Sequence, residues 1–195
     1  MSEPRASIIL AEANGDVTTL RAALINSDAT TRAAAIGALA RLRHLETNDL
    51  QAGLIDPQPA VRCRAIELSI DETGIDIAAL LDDADDLVVE TAAWALGERG
   101  PTDSETLAKL RSVAQDHDVS ICREAAVAAL GAIGDPVGLS TILAAMSDRA
   151  PVRRRAVLAL APFDGDEVTT ALRSALNDRD RQVRQAAEDL LGSEI

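Results

Sequence analysis

Residues 118–131 read DVSICREAAVAALG. Counting from Arg123 as an anchor, apolar residues stand at positions −1, +3, +4 and +7. That spacing places them on one face of a helix with 3.6 residues per turn. The stretch therefore predicts an amphipathic helix, and the alanine at +3 predicts close contact with a neighbouring helix.

The same pattern occurs six times along the chain, with anchors 30, 27, 34, 30 and 31 residues apart. The anchors are Arg32, Arg62, Val89, Arg123, Arg153 and Arg184. A second apolar-periodic segment precedes each anchored helix, so each copy contains two helices, which we call A and B. A unit of about 30 residues cannot bury its apolar face alone, so successive copies must stack into an all-α solenoid.

Two copies also carry a family resemblance. The pattern Asp85…Ala92-Ala93-Trp94-Ala95-Leu96-Gly97 and the pattern Arg123…Ala126…Ala129-Leu130-Gly131 resemble short HEAT repeats of the phycobilin-lyase type. We expect a right-handed α-solenoid of about six HEAT-like hairpins, preceded by an N-terminal capping helix. As one domain over 1–195, it would comprise a capping helix at 1–15 and repeats at about 16–44, 45–73, 74–100, 101–134, 135–164 and 165–195.

The charge is strongly acidic. The 195 residues include 19 Lys and Arg against 32 Asp and Glu, for a formal net charge of −13. This argues against a nucleic-acid-binding protein, because neutralising phosphates requires a basic face. Lys109 is the only lysine. The acidity is consistent with a salt-rich cytoplasm, where screening weakens self-repulsion, or with a basic partner.

Features of targeting and covalent cross-linking are missing from the sequence. Residues 1–4 lack a basic segment, and no run approaches the roughly 20 apolar residues of a membrane-spanning helix. Cys63 and Cys122 have no CxxC spacing and are expected to be free thiols. We expect a cytoplasmic protein that does not contact the membrane, and leave its oligomeric state open.

No catalytic constellation is present in the sequence. The HEAT-repeat iron enzyme deoxyhypusine hydroxylase binds metal through His-Glu motifs, whereas His44 is followed by Leu45 and His117 by Asp118. GxSxG, P-loop and GxGxxG motifs do not occur. We therefore predict no catalytic residue, no metal and no cofactor, and expect that the protein is not an enzyme.

The resemblance implies a structural role for the repeated arginine. In HEAT proteins it typically pairs with an aspartate of the same or a neighbouring repeat, which makes a ladder along the solenoid. The expected ladder residues are Asp28, Arg32, Arg62, Arg123, Arg153, Asp180 and Arg184, interrupted at Val89. Asp28/Arg32 and Asp180/Arg184 have the i,i+4 spacing of local pairs. Aspartates just upstream of the B helices are expected as N-caps: Asp28, Asp56, Asp85, Asp118, Asp148 and Asp178 or Asp180.

The B-helix face, made by positions +1, +2 and +5, lines the concave surface in proteins of this family. Trp94, the only tryptophan, falls on it, and Trp and Arg often dominate binding energy at interfaces. The predicted partner-contacting residues are Trp94, Glu90, Glu124, Arg64, Arg154, Arg155 and Leu158. Alternatively, Trp94 packs against neighbouring helices. The arginines are alternatively interpreted as solvated charges that balance nearby aspartates, or as a site for a phosphate-containing ligand.

The function predicted from these features is a non-catalytic scaffold or adaptor that binds a protein or peptide of mixed charge. An alternative, suggested by the repeat type alone, is a lyase-like or other enzyme accessory subunit, which would need a larger apolar pocket. A third is nucleic-acid binding in the manner of HEAT-like alkylpurine glycosylases, which the acidity disfavours.

Overall fold

In a computed structural model, which describes residues 3–192 and side chains from residue 6 onward, the chain is helical, with no strand in that range. Residues 1–2 and 193–195 of the expected domain lie outside the described range. No described helix has the length and apolarity needed to cross a bilayer. The α-helices are α1 (Glu3–Ala13), α2 (Val17–Ala23), α3 (Ala29–Arg41), α4 (Thr47–Leu54), α5 (Pro59–Leu68), α6 (Asp86–Arg99), α7 (Ser104–Asp116), α8 (Ser120–Ile133), α9 (Leu139–Ala145), α10 (Ala150–Ala159), α11 (Asp166–Ala175) and α12 (Arg181–Gly192).

The helices form two compact units, Met1–Ala92 and Ala93–Ile195, which divide within α6. In the first unit, the B helices α3 and α5 contact each other and pack on their A helices, α2 and α4. In the second unit, the B helices α8, α10 and α12 follow one another, each packed on its A helix, α7, α9 or α11. Stacked hairpins of this kind confirm the predicted α-solenoid class. The single domain and its repeat boundaries stay predictions.

The core lies on the predicted face of the B helices. The alanine at +3 has no exposed surface in any of the six copies, and the residue at −1 is at most 2% exposed. Because these side chains are small, the backbones approach closely. A Cβ added to Gly131 of α8 would lie 2.7 Å from the Cα of Ala159 on α10. The alanine-rich composition therefore sets the spacing between these two helices.

The N-terminal helix α1 covers the first repeat. Its Ile8 and Ala11 are buried in a cluster with Leu20, Ala35 and Leu39, which belong to α2 and α3. These contacts cover apolar side chains of α2 and α3.

The third repeat departs from the expected pair of α-helices. Its A segment is a 3₁₀ helix, Ala78–Asp82. Another 3₁₀ turn, Pro136–Gly138, belongs to the fifth repeat and directly precedes α9. Only 27 residues separate the anchors Arg62 and Val89, so this copy has the least chain available for an A helix. Its Ile77 and Leu81 are nevertheless buried, and the apolar contacts of a longer helix are partly retained.

Candidate partner-binding face

Arginine side chains join consecutive repeats within each unit. Each guanidinium uses Nε and Nη2 to hold both oxygens of one aspartate, at 2.6–2.8 Å. The pairs are Arg32–Asp56, Arg62–Asp83, Arg123–Asp148 and Arg153–Asp178. The Nη1 of each arginine donates to a carbonyl just before its own helix. Every such arginine therefore fixes its own repeat to the next one.

Asp28 and Asp180, the expected local partners, have a different role. The Asp28 carboxylate accepts from the backbone N–H of Thr31 at 2.9 Å, and Asp180 accepts from that of Gln182 at 2.8 Å. Both lie directly before the first helical residue, where the unpaired N–H groups are within reach. Arg184 donates to the carbonyl of Asp178 at 2.7 Å.

Asp56, Asp148 and Asp178, expected as N-caps, hold the arginines of the preceding repeats. They lie two or three residues before the first helical residue, too far upstream to cap as Asp28 does. The N-cap residue of α5 is Gln58 and that of α10 is Arg149, and neither makes a side-chain capping bond.

These contacts keep the aspartates ionised. Hydrogen bonds from Arg32, Arg123 and Arg153 lower the pKa of Asp56, Asp148 and Asp178 respectively, against the opposing effect of burial. The same bonds raise the pKa of the arginines. Hydrogen bonds from the Thr30 and Thr31 hydroxyls lower the pKa of Asp28 to about 2. The ladder is a structural element that stays charged at neutral pH.

The B-helix face of the second unit carries two large exposed apolar side chains. Trp94 on α6 is 45% exposed, and Leu158 on α10 is 41% exposed. Both occupy position +5 of their repeats, directly after residues at +3 and +4 that are fully buried. The indole is thus held in place by its helix while a large part of it remains in contact with solvent.

Three of the predicted charged residues meet on this face. The Nη2 of Arg155 lies 3.5 Å from Oε1 of Glu124, and the Nη2 of Arg154 lies 4.0 Å from the same atom. Arg154 also donates to the side-chain oxygen of Gln182 at 3.2 Å. The Nε of Arg155 is buried and has no hydrogen-bond partner. Glu124 therefore compensates Arg155 only in part.

An open pocket of about 450 Å³ lies between α8 and α10 on the same face. Small apolar groups supply most of its wall, and Arg155 supplies the polar part. The lining residues are Ala128, Gly131, Ala132, Arg155, Leu158, Ala159, Ala161 and Pro162. Two of the residues predicted from the sequence, Arg155 and Leu158, thus line one cavity.

The other predicted face residues, Arg64 and Glu90, belong to the first unit. Arg64 lines a smaller pocket of about 260 Å³ with α1 and α3 residues, and a Cβ on Gly37 would lie 2.8 Å from its Nη2. Its Nη1 donates to Glu67 at 2.7 Å. Glu90 is half-buried on α6.

The roles of Asp83 and Glu67 and the pocket itself were not predicted from the sequence. Asp83 stands six residues before its anchor, as Asp56 and Asp178 do, and Asp148 stands five residues before its own. An aspartate at this offset is the signal that identifies arginine acceptors. Glu67 has the i,i+3 spacing from Arg64 that favours a pair on one helix. The pocket has no local signal, since its walls come from two repeats.

Comparisons with known proteins agree with this architecture. The family model described as HEAT repeats matches residues 76–161 and 123–192. No curated protein matches the chain significantly in sequence. The crystal structure of Escherichia coli YibA is similar over 100% of this chain and 76% of its own, with a TM-score of 0.67 at 16% identity. A designed armadillo repeat protein is similar over 91% of this chain and 99% of its own, with a TM-score of 0.59 at 16% identity.

Proposed function

The chain belongs to the HEAT-repeat family, and on that premise we propose that it is a non-catalytic scaffold that binds a protein or peptide segment. The proposed contact surface is the B-helix face of the second unit. Trp94 is the apolar anchor, Leu158 adds a second apolar contact, and Glu124, Arg154 and Arg155 orient the partner. Arg64 and Glu90 offer contacts of the same chemical types on the first unit. The finer assignment to phycobilin-lyase-type repeats stays a prediction.

The observation that carries this proposal is the exposure of Trp94. Tryptophan is among the side chains that contribute most when an interface buries them. This one is held by a helix whose positions +3 and +4, Ala92 and Ala93, are fully buried, yet it is 45% exposed. A partner that covers the indole gains apolar burial without having to order a flexible segment.

The charged residues of the same B-helix face would set orientation more than affinity. Glu124, Arg154 and Arg155 are all partly exposed, and partly exposed ion pairs contribute little on their own. Opposite charges side by side favour a partner that carries both signs in the matching order. This is why we propose a segment of mixed charge.

The test replaces Trp94 with alanine and measures affinity for a partner captured from the native host at its own salt concentration. We expect Trp94→Ala to weaken binding at least about fivefold, corresponding to the hot-spot threshold of about 1 kcal/mol. Ile121→Ala is the matched control, because Ile121 is a 47% exposed apolar residue on α8 at position −2, outside the B-helix face. Equal affinities of Trp94→Ala and the parent protein would refute the anchor role.

A further inference from the structure

Two repeats carry an arginine at position +2, and both arginines line a pocket. The residues at +2 are Ala34, Arg64, Thr91, Ala125, Arg155 and Ala186. Arg64 shares its pocket with Gly37, and Arg155 shares its pocket with Ala128. In each case the second residue is the small +5 residue of the preceding repeat. The same construction therefore occurs once in each unit.

The two arginines differ in how their charge is compensated. Arg64 is paired within its own helix, because position +5 of its repeat is Glu67, at 2.7 Å from Nη1. In the repeat of Arg155 that position is Leu158. Glu124 lies 3.5 Å from Nη2 of Arg155, while the Nε has no acceptor. A buried N–H without an acceptor is unfavourable, because it has lost its hydration without replacement.

The ladder shows how this chain completes the same edge of a guanidinium elsewhere. Arg32, Arg62, Arg123 and Arg153 each give Nε and Nη2 to the two oxygens of one carboxylate. Such bidentate pairs are among the strongest hydrogen-bonded contacts in proteins. On Arg155 no single carboxylate takes both groups of this edge, because Glu124 lies 3.5 Å from Nη2 while Nε has no acceptor.

We propose that the pocket between α8 and α10 binds an acidic side chain of a partner peptide together with a neighbouring aliphatic side chain. The inference rests on the proposed scaffold function and names the chemistry of the bound segment. The partner's Asp or Glu takes the Nε–Nη2 edge of Arg155, after a rotation that the half-exposed side chain allows. The aliphatic group fills the lining made by Ala128, Leu158 and Pro162.

Size and charge both suit this occupant. The pocket of about 450 Å³ falls within the range of about 300–1,000 Å³ that is usual for small-molecule sites, so it has room for two side chains. Two arginines, Arg154 and Arg155, face a single carboxylate, Glu124, so the local charge is positive on a protein of net charge −13. A carboxylate is therefore attracted locally, whereas a basic side chain is repelled by the arginines.

The experiment is a selection from a library of random 12-residue peptides displayed on phage, panned on the full-length protein and on two variants. Arg155→Gln removes the proposed contact. Arg173→Gln is the matched control, because it changes an exposed arginine of the same unit that lies on the A helix α11, outside the B-helix face. We expect peptides enriched on the parent protein to contain Asp or Glu next to Leu, Ile or Val. We expect them to bind Arg173→Gln as tightly as the parent protein and Arg155→Gln about tenfold more weakly.

A second measurement changes the peptide. Replacing the acidic residue of a selected peptide by its amide should also weaken binding about tenfold, and combining this change with Arg155→Gln should add little further loss. Enriched peptides without an acidic residue, or with equal affinity for Arg155→Gln, would overturn this inference while supporting the scaffold proposal. No enrichment on the parent protein would overturn both.

Discussion

Gly131→Ala tests whether backbone contact between α8 and α10 limits the packing of the second unit. An added Cβ would lie 2.6 Å from Cβ, 2.7 Å from Cα and 2.9 Å from the carbonyl oxygen of Ala159. Two of these three atoms are main-chain atoms, so no rotation of a side chain relieves the contact. The two helices must move apart, which also disturbs the contacts of their neighbours.

The expected magnitude combines two opposing effects. Overpacking a well-packed core costs typically 1–3 kcal/mol, while alanine is about 1 kcal/mol better than glycine inside a helix. We expect Gly131→Ala to lower the free energy of unfolding by about 1 kcal/mol. With a typical slope of about 2 kcal/mol per molar urea, the unfolding midpoint falls by about 0.5 M.

Gly37→Ala on α3 is the matched control. The added Cβ there would meet the guanidinium ends of Arg64 and Arg41, which are flexible and can turn away. The helix-propensity gain should therefore remain, and Gly37→Ala should be more stable than Gly131→Ala by about 2 kcal/mol. Urea unfolding followed by circular dichroism measures both. The explanation is wrong if Gly131→Ala proves as stable as Gly37→Ala.

Three further predictions concern the ladder and the net charge. Arg153→Met should lower the free energy of unfolding by about 3 kcal/mol, because Asp178 is then left largely buried without its cation. The control Arg154→Met should change the free energy of unfolding by less than about 0.5 kcal/mol. Similar urea midpoints for both variants would contradict the role of the Arg153–Asp178 ion pair. The lowered pKa values of Asp56, Asp148 and Asp178 mean that their stabilisation is complete above the ordinary Asp pKa of about 4 and is lost as the pH falls through the lowered values. The thermal unfolding temperature should accordingly decrease as the pH is lowered below about 4. An unfolding temperature that stays constant down to about pH 2 would contradict this stabilising role of the aspartates. Raising KCl from about 0.1 M to 1 M shortens the screening length from about 10 Å to 3 Å, so self-repulsion at −13 should weaken and the unfolding temperature should rise; an unchanged temperature would exclude adaptation to salt.

The sequence was informative about which residues are buried and weakly informative about which residues meet. Positions −1 and +3 of all six copies are buried as predicted, because helical period is a local property that three or four neighbouring residues define. The partners of the arginines were assigned less well. Arg32 lies four residues from Asp28 but pairs with Asp56, which is 24 residues away. Stacking places Asp56 of the next repeat within hydrogen-bond distance of the Arg32 guanidinium.

The candidate face shows the same division. Trp94 and Leu158 could be placed on the B-helix face by counting from their anchors, and both are exposed there. The incomplete contacts of Arg155 could not be anticipated, because they depend on the distance from Glu124 in one repeat to a guanidinium in the next. Whether the Nε of Arg155 finds an acceptor depends on how α8 and α10 pack against each other.

The periodic small apolar residues were enough to establish an all-helical repeat protein, since a face that recurs every 3.6 residues and every 30 or so can be buried only by stacking. Stacking itself established which aspartate each arginine holds, the backbone contact at Gly131 and the pocket beside Arg155. These features come from residues more than 20 positions apart in the sequence. The distance between them in space is set by how closely neighbouring helices pack.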